Sequence, residues 1–205
     1  LAHAAQDERR SGRDDHLRGR DALRREIRLY HEAGFRFADV YVGGGTPTVD
    51  PDQLIATLEL VRASSEVRSI SIETNPNHLQ PDVLRRYRAA GVTRLSVGVQ
   101  SFDDGLLAGM DRLEKYGSAD QIRERLAAAR GIFPTLNVDM IFNLPGQTLA
   151  MLERDLDRLL ALGVDQVSFY PLMTAPSARH AMQRSMGLAD TRLRHAMYER
   201  IQGRL

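Results

Sequence analysis

The residues of this chain that can do chemistry come at intervals, each group just after a short apolar run. The first is Gly43-Gly44-Gly45-Thr46-Pro47-Thr48. Three glycines in a row cost backbone entropy, so either a tight turn or a ligand held against bare backbone has to account for them. The second is Glu73-Thr74-Asn75-Pro76. Glu73 can accept hydrogen bonds from an ammonium group, or it can cap the turn that follows. Gln100 lies in Gly98-Val99-Gln100-Ser101-Phe102, and Arg112 stands twelve residues beyond it. Asp139 interrupts the run Asn137-Val138-Asp139-Met140-Ile141, where an unpaired carboxylate is expensive and calls for an ion-pair partner or a ligand. Singly these are weak signals. Together they offer a carboxylate for an amino group, a guanidinium for a carboxylate, and a second carboxylate for sugar hydroxyls, a set suited to a zwitterion that carries a ribose.

A repeating unit must position them. From about Asp21, Leu23, Ile27 and Tyr30 recur at helical spacing, and Ala33-Gly34 marks the end of that helix. The run Ala38 to Val42 then predicts a strand. The same alternation predicts helices over Pro51 to Ala63, Pro81 to Ala90, Asp103 to Ala108, Ser118 to Arg130, Leu149 to Leu162 and Asp190 to Ile201. Strands are predicted over Ser69 to Glu73, Arg94 to Val99, Leu136 to Ile141 and Gln166 to Tyr170. Short apolar strands between amphipathic helices point to a parallel sheet with helical crossovers. The strands recur every 25 to 45 residues or so, which suits a βα barrel or an open doubly wound sheet; both build their sites at the carboxyl ends of the strands.

Composition narrows the class. The 205 residues carry 28 Lys+Arg and 27 Asp+Glu, a net charge of +1, so no long-range field draws the chain to nucleic acid or to an anionic membrane. No apolar run approaches the roughly 20 residues of a membrane span, and the charged first residues are unlike a signal peptide, so a cytoplasmic protein is expected. With no cysteine, disulfides, thiolate metal sites and a cysteine nucleophile are all excluded within this chain.

The ordered series of glycine loop, Glu73-Thr74-Asn75-Pro76, Ser96 to Phe102, Asn137-Val138-Asp139 and Leu144-Pro145-Gly146-Gln147-Thr148 resembles the radical S-adenosylmethionine (SAM) proteins related to oxygen-independent coproporphyrinogen III oxidase, over about residues 20 to 175. That family includes coproporphyrinogen dehydrogenases and proteins regarded as haem chaperones. The resemblance implies an α/β fold, a partial (β/α)6 TIM-like radical SAM barrel. It also implies SAM and a [4Fe–4S] cluster as cofactors, a small-molecule substrate of tetrapyrrole type, and an electron donor such as flavodoxin or ferredoxin. It places Gly44, Gly45 and Thr46 against the methionine end of SAM and makes Glu73 an acidic contact. Gln100 and Arg112 would hold its polar groups, with Arg112 facing the carboxylate, and Asp139 would bind the ribose hydroxyls. The alternative within the resemblance is a protein that binds SAM or haem without turnover.

Several features depart from the family's pattern. No CxxxCxxC loop occurs, so the first barrel strand and the cluster loop are expected to be missing and both chain ends to be cut. Residues 1–19 are expected to be a charged, loosely ordered leader, and residues 20–205 the core barrel. Gly109-Met110-Asp111-Arg112-Leu113 differs from the Leu-Gly-Arg of many members, although Arg112 keeps its spacing from Gln100, and Phe142-Asn143 replaces a common Tyr-Gly. The six histidines show no metal-like pairing and are expected at the surface. Arg85-Arg86, Arg123, Arg125 and Arg130 lie beside acids on predicted helices, which favours solvated faces over a nucleic-acid patch. Ser101 and Asp103-Asp104 read as a helix start. Met182 and Met186, near Arg179, read as packing residues.

Overall fold

A computed structural model of the chain describes residues 19, 21–173, 184, 186–190 and 192–205. The expected leader, Arg179 and Met182 therefore lie outside the described residues, Gly19 apart. The first helix, α1, covers residues 21–32. There follow β1 (Asp39–Val42), α2 (Pro51–Ser64), β2 (Ser69–Thr74), α3 (Pro81–Ala89), β3 (Arg94–Gln100), α4 (Asp104–Gly109), α5 (Leu113–Tyr116), α6 (Ala119–Ala129), β4 (Thr135–Phe142), α7 (Leu149–Leu162), β5 (Gln166–Pro171) and α8 (Leu193–Gln202). The five strands lie side by side in chain order, all parallel. The parallel α/β order is what the alternation predicts, and the partial barrel is what the resemblance implies.

Local chemistry fixes the element ends. Asp50 caps α2 by accepting from the Gln53 amide, with Pro51 at the first helical position. Ser118 and Gln121 form a capping box at α6. Thr148 caps α7, and Gly163 closes it in a left-handed conformation. Two 3-10 turns, Pro47–Val49 and Pro76–His78, and the one-turn helix α5 are additions to the sequence reading. All three are too short to leave a periodic pattern.

The strands have two unlike faces. Ile70, Ile72, Leu95, Val97, Val99, Leu136, Val138 and Met140 are buried in one core with Leu54 and Leu58 of α2, Leu84 and Tyr87 of α3, Ile122 and Leu126 of α6, and Leu159 of α7. A smaller cluster of Phe142, Leu152, Leu156, Met197 and Ile201 holds α8 on α7. The intervening residues, Tyr41, Ser71, Glu73, Arg94, Ser96, Gly98, Asn137, Asp139, Ser168 and Tyr170, fall on the opposite face by the two-residue period of a strand. A small barrel normally fills that inner face with branched apolar side chains. Here it is polar and lines an open cavity. Among the described residues no helix is long and apolar enough to cross a membrane.

Candidate functional site

The glycine loop is built around Glu73. Gly44 and Gly45 have φ of +82° and +59°, in the left-handed region, and a Cβ on either would project into open space. Their need for glycine is conformational, and it leaves bare backbone facing a void. At Gly43 a Cβ would come within 2.7 Å of Tyr41 Cε1 and 2.9 Å of Glu73 Oε2, so a side chain there would displace the Tyr41–Glu73 pair. The Gly44 amide donates to Glu73 Oε2 at 3.2 Å, and the Tyr41 hydroxyl donates to Oε1. The bond to Glu73, helped by burial, pushes the Tyr41 phenol up to about 12, which keeps it a neutral donor. Thr46 Oγ1 accepts from Asn75 Nδ2 at 2.8 Å, tying the loop to the end of β2.

The end of β3 is irregular in a way that presents Gln100. The register with β4 shifts between Gly98 and Gln100, and Gln100 itself has φ of +77°, which is strained for a residue with a side chain. A Cβ on Gly98 would lie 3.1 Å from Gln100 Nε2, so glycine there gives the amide room. Beyond the bulge, Ser101 Oγ and the Phe102 amide donate to the two oxygens of Asp155, each at 2.8 Å. Asp155 is buried in α7, and burial pushes its carboxyl up to about 6 against the opposing effect of those two bonds. Arg158 donates to the Phe102 carbonyl. Ser101 is thus a buried link to α7, and Asp103 alone caps α4, through the Gly105 and Leu106 amides.

Asp111, with φ of +56°, turns the chain so that Arg112 faces inward at the start of α5. Its Nη2 donates to the Gly98 carbonyl and, at 3.4 Å, to Asn75 Oδ1. The guanidinium carbon sits 4.3 Å from the centroid of Tyr116. Burial pulls its pKa down from the ordinary arginine value, yet the group stays a cation, and its Nε is buried without a partner.

Asp139 accepts from Ser96 Oγ and from Asn137 Nδ2, both at 2.8 Å, and Ser168 Oγ supports Asn137 at 3.1 Å. The sequence reading called for a partner or a ligand, with a structural ion pair as the alternative. Among the described residues Asp139 has no ion pair, and neutral donors on its own sheet face hold it instead. A carboxylate has about four lone-pair sites, so capacity remains on the cavity side.

These groups share one cavity of about 800 Å³. Gly45, Thr46, Glu73, Gln100, Arg112 and Asp139 line it; Gly44 does not, and contributes its amide to Glu73. Sequence reasoning missed Tyr41, Asn75, Arg94, Ser96, Tyr116, Tyr170 and Met173 as walls. The signal that could have found the strand members is polar residues at every second position opposite an apolar set. Leu144 to Thr148 do not line the cavity. They form a turn in which Gln147 Oε1 accepts from the Leu144 amide at 3.2 Å and Thr148 caps α7. His78, expected at the surface, is half-buried and bonded to Thr48 Oγ1 at 2.7 Å, and burial lowers its pKa. Exposed ion pairs of Arg85, Arg86 and Arg123 with neighbouring acids match the solvated-face reading for those three, whereas Arg125 is partly buried and donates to the Tyr116 carbonyl.

The arrangement puts an anion, a hydrogen-bonded carboxylate, an amide and a cation with an unused donor around one void. SAM matches it, because the unpartnered Arg112 Nε can serve a carboxylate and the open glycine backbone leaves room for close approach. An iron–sulfur cluster does not fit this chain's own residues. It has no cysteine, and among the described residues no group of three or more His, Cys, Asp or Glu is placed to hold a metal.

Comparison with known proteins agrees with the geometry. The family described as the radical SAM superfamily matches residues 4–171. The chain is 36% identical over 143 residues to the protein named "Heme chaperone HemW" of Bacillus subtilis, covering 67% of this chain and 37% of that protein. It is 36% identical over 182 residues to the oxygen-independent coproporphyrinogen III oxidase of Salmonella typhimurium, covering 83% of this chain and 38% of the other. The solved coproporphyrinogen III oxidase (HemN) of Escherichia coli, described as a radical SAM enzyme, superposes with a TM-score of 0.78 at 30% identity over 89% of this chain and 44% of its own. The chain therefore spans about two-fifths of the length of these relatives. Homologues in the family bind SAM and a [4Fe–4S] cluster. With a family match running from residue 4 to residue 171 and the parallel sheet that family shares, the chain belongs to the radical SAM superfamily.

Proposed function

We propose that this chain forms the SAM-holding part of a radical SAM protein that acts on a tetrapyrrole-type substrate. SAM held there would supply the chemistry of hydrogen abstraction when reduced through a cluster and donor from outside this chain. The chain's own residues position it. Glu73, fixed by Tyr41 and the Gly44 amide, faces the amino group, with Gly45 and Thr46 beside the methionine end. Arg112 offers its unpartnered Nε to the carboxylate, Gln100 a side-chain amide, and Asp139 its remaining lone pairs to the ribose hydroxyls. The observation that carries the reading is the convergence of Glu73, Gln100, Arg112 and Asp139 on one cavity from three strands and the α4–α5 turn. Thiolate ligands for a cluster and an electron donor such as flavodoxin or ferredoxin would come from outside this chain.

Calorimetry with SAM on the anaerobically reconstituted full-length gene product tests this. Asp139→Ala and Arg112→Ala should each weaken binding by about 1 to 3 kcal/mol through loss of charge-assisted hydrogen bonds. Unchanged affinity in both would sink the assignment. A second reading, binding without turnover, has support in the equal 36% identities to a protein named as a chaperone and to one named as an oxidase. Formation of 5′-deoxyadenosine after dithionite reduction favours the enzyme; intact SAM together with haem binding favours the chaperone.

A further inference from the structure

Gln100 is strained, and what holds it lies outside the cavity. Its φ of +77° falls where the register with β4 shifts, and a residue with a side chain keeps such a conformation only where its surroundings over-determine it. The hold comes from α7. Ser101 Oγ and the Phe102 amide donate to the two oxygens of Asp155, and Arg158, on the same helix face at i+3, donates to the Phe102 carbonyl. Ser101, Phe102 and Asp155 are each 1% exposed or less, so water cannot stand in for a broken bond. The chain leaving Gln100 is therefore gripped by two helical side chains at the two residues that follow it.

The direction of these bonds fixes which form of Asp155 grips best. Ser101 Oγ accepts from the Asp103 amide at 3.1 Å, so its own proton goes to Asp155 Oδ2, and the Phe102 amide can only donate. Asp155 thus accepts at both oxygens, the pattern of a carboxylate. A proton on Asp155 turns one oxygen into a donor. Ser101 Oγ, its partner at 2.8 Å, would have to accept that proton, and the serine's own proton would lose its acceptor in a dry site. A neutral bond then replaces a charge-assisted one. The charged groups that face Asp155 are Arg158 on α7 and Asp103 at the start of α4, itself paired with Arg154 at 3.5 Å. Burial, with Asp103, pushes the carboxyl up to about 6 against Ser101, Phe102 and Arg158, so both forms are accessible not far below neutral pH.

We propose that Asp155 is a positioning residue for SAM: its ionised carboxylate, acting through Ser101 and Phe102, holds the left-handed Gln100 so that the Gln100 side-chain amide faces SAM. This rests on the SAM reading of the cavity. Burial favours the acid in the free protein, whereas bound SAM favours the carboxylate. By linkage, affinity for SAM rises as Asp155 ionises, and SAM binding releases the proton that Asp155 holds.

The test is SAM calorimetry on the full-length protein, reconstituted anaerobically, from about pH 5 to about pH 7.5 in buffers of unlike ionisation enthalpy. Wild-type affinity should rise about fivefold across this window, with proton release per SAM bound greatest near the value of about 6 at which Asp155 titrates. Asp155→Asn, whose amide donates to Ser101 as the acid would, should bind SAM about fivefold more weakly than the wild type at the upper end, about equally at the lower end, and without that proton release. The difference between the two proteins cancels the titration of SAM and of every other group. Gln100→Ala removes the side chain through which the effect passes, so it should abolish the proton release, and adding Asp155→Asn to it should cost no further affinity. Wild-type affinity and proton release in a folded Asp155→Asn protein, or additive losses in the double variant, would overturn the proposal. If Asp155→Asn does not fold, no proton release by the wild type, or unchanged release by Gln100→Ala, overturns it equally. Failure of the wild type to bind SAM at any pH would instead overturn the rim assignment on which it rests.

Discussion

The same strands serve two regions with opposite demands. Leu95 and Ser96 are neighbours in β3, both buried, yet Leu95 points into the helix-covered core and Ser96 into the polar cavity face, where it holds Asp139. One residue contributes stability by leaving water, the other by keeping a charged group aimed at a void. The difference teaches that this sheet's core lies on one face only, so the cavity side can be altered for binding while the helical side cannot.

The largest expected effect follows from that asymmetry. Leu95→Ala should lower unfolding free energy by about 2 to 5 kcal/mol, as large-to-small changes in a close-packed core do, while Ser96→Ala should cost less, about 1.5 to 3 kcal/mol, through loss of its hydrogen bond to the Asp139 carboxylate. Paired denaturant melts of the two variants measure this. Comparable losses would mean that the polar face carries as much of the fold as the apolar one.

A smaller effect sharpens the comparison at the one place where the core supports the rim. Asp155 carries a proton in the folded state up to about pH 6, against an ordinary value of 3.8. Between those values the native protein holds a proton that the unfolded chain has released, so stability falls as pH rises through this window and levels off above it. The groups that face it set this balance: burial and Asp103 raise it, and the bonds from Ser101 and Phe102, with Arg158, oppose them. The contribution is on the order of 2 to 3 kcal/mol. It appears in the wild type and not in Asp155→Asn, so the difference between their melts at about pH 4 and pH 7 isolates it. A pH-independent difference would show that the carboxyl titrates normally.

What could be read from the sequence divides along the same line. The strands and most helices were legible because alternation, prolines, caps and closing glycines are local signals, and six of the seven expected site residues line the cavity because strand ends in a parallel sheet converge. The tie of Asp155 to Ser101 was not legible, because 54 residues separate them and nothing local distinguishes Asp155 from a solvated helix acid. The left-handed Gln100 and the turn at Asp111 were hidden for a related reason, since tertiary bonds hold conformations that these residue types do not favour. Arg94, Ser96 and Asn137 escaped because a polar residue in a strand looks like an exposed one until the sheet shows which face encloses space.

The smallest effect concerns Tyr41, where the two regions meet at an outer strand. Its hydroxyl donates to Glu73 Oε1 while the Gly44 amide holds Oε2, so Glu73 has two fixed points of support. Tyr41→Phe removes one and leaves the ring. Because the side chain is 62% exposed, water can replace the lost donor, and stability should change by less than about 0.5 kcal/mol. SAM affinity should fall only about two- to threefold, since the Gly44 amide still orients the carboxylate and one neutral hydrogen bond contributes about 1 kcal/mol or less when solvent can substitute. Calorimetry on this variant beside Arg112→Ala ranks the two supports. A loss for Tyr41→Phe as large as that for Arg112→Ala would place the controlling contact on the outer strand and not at the irregular end of β3.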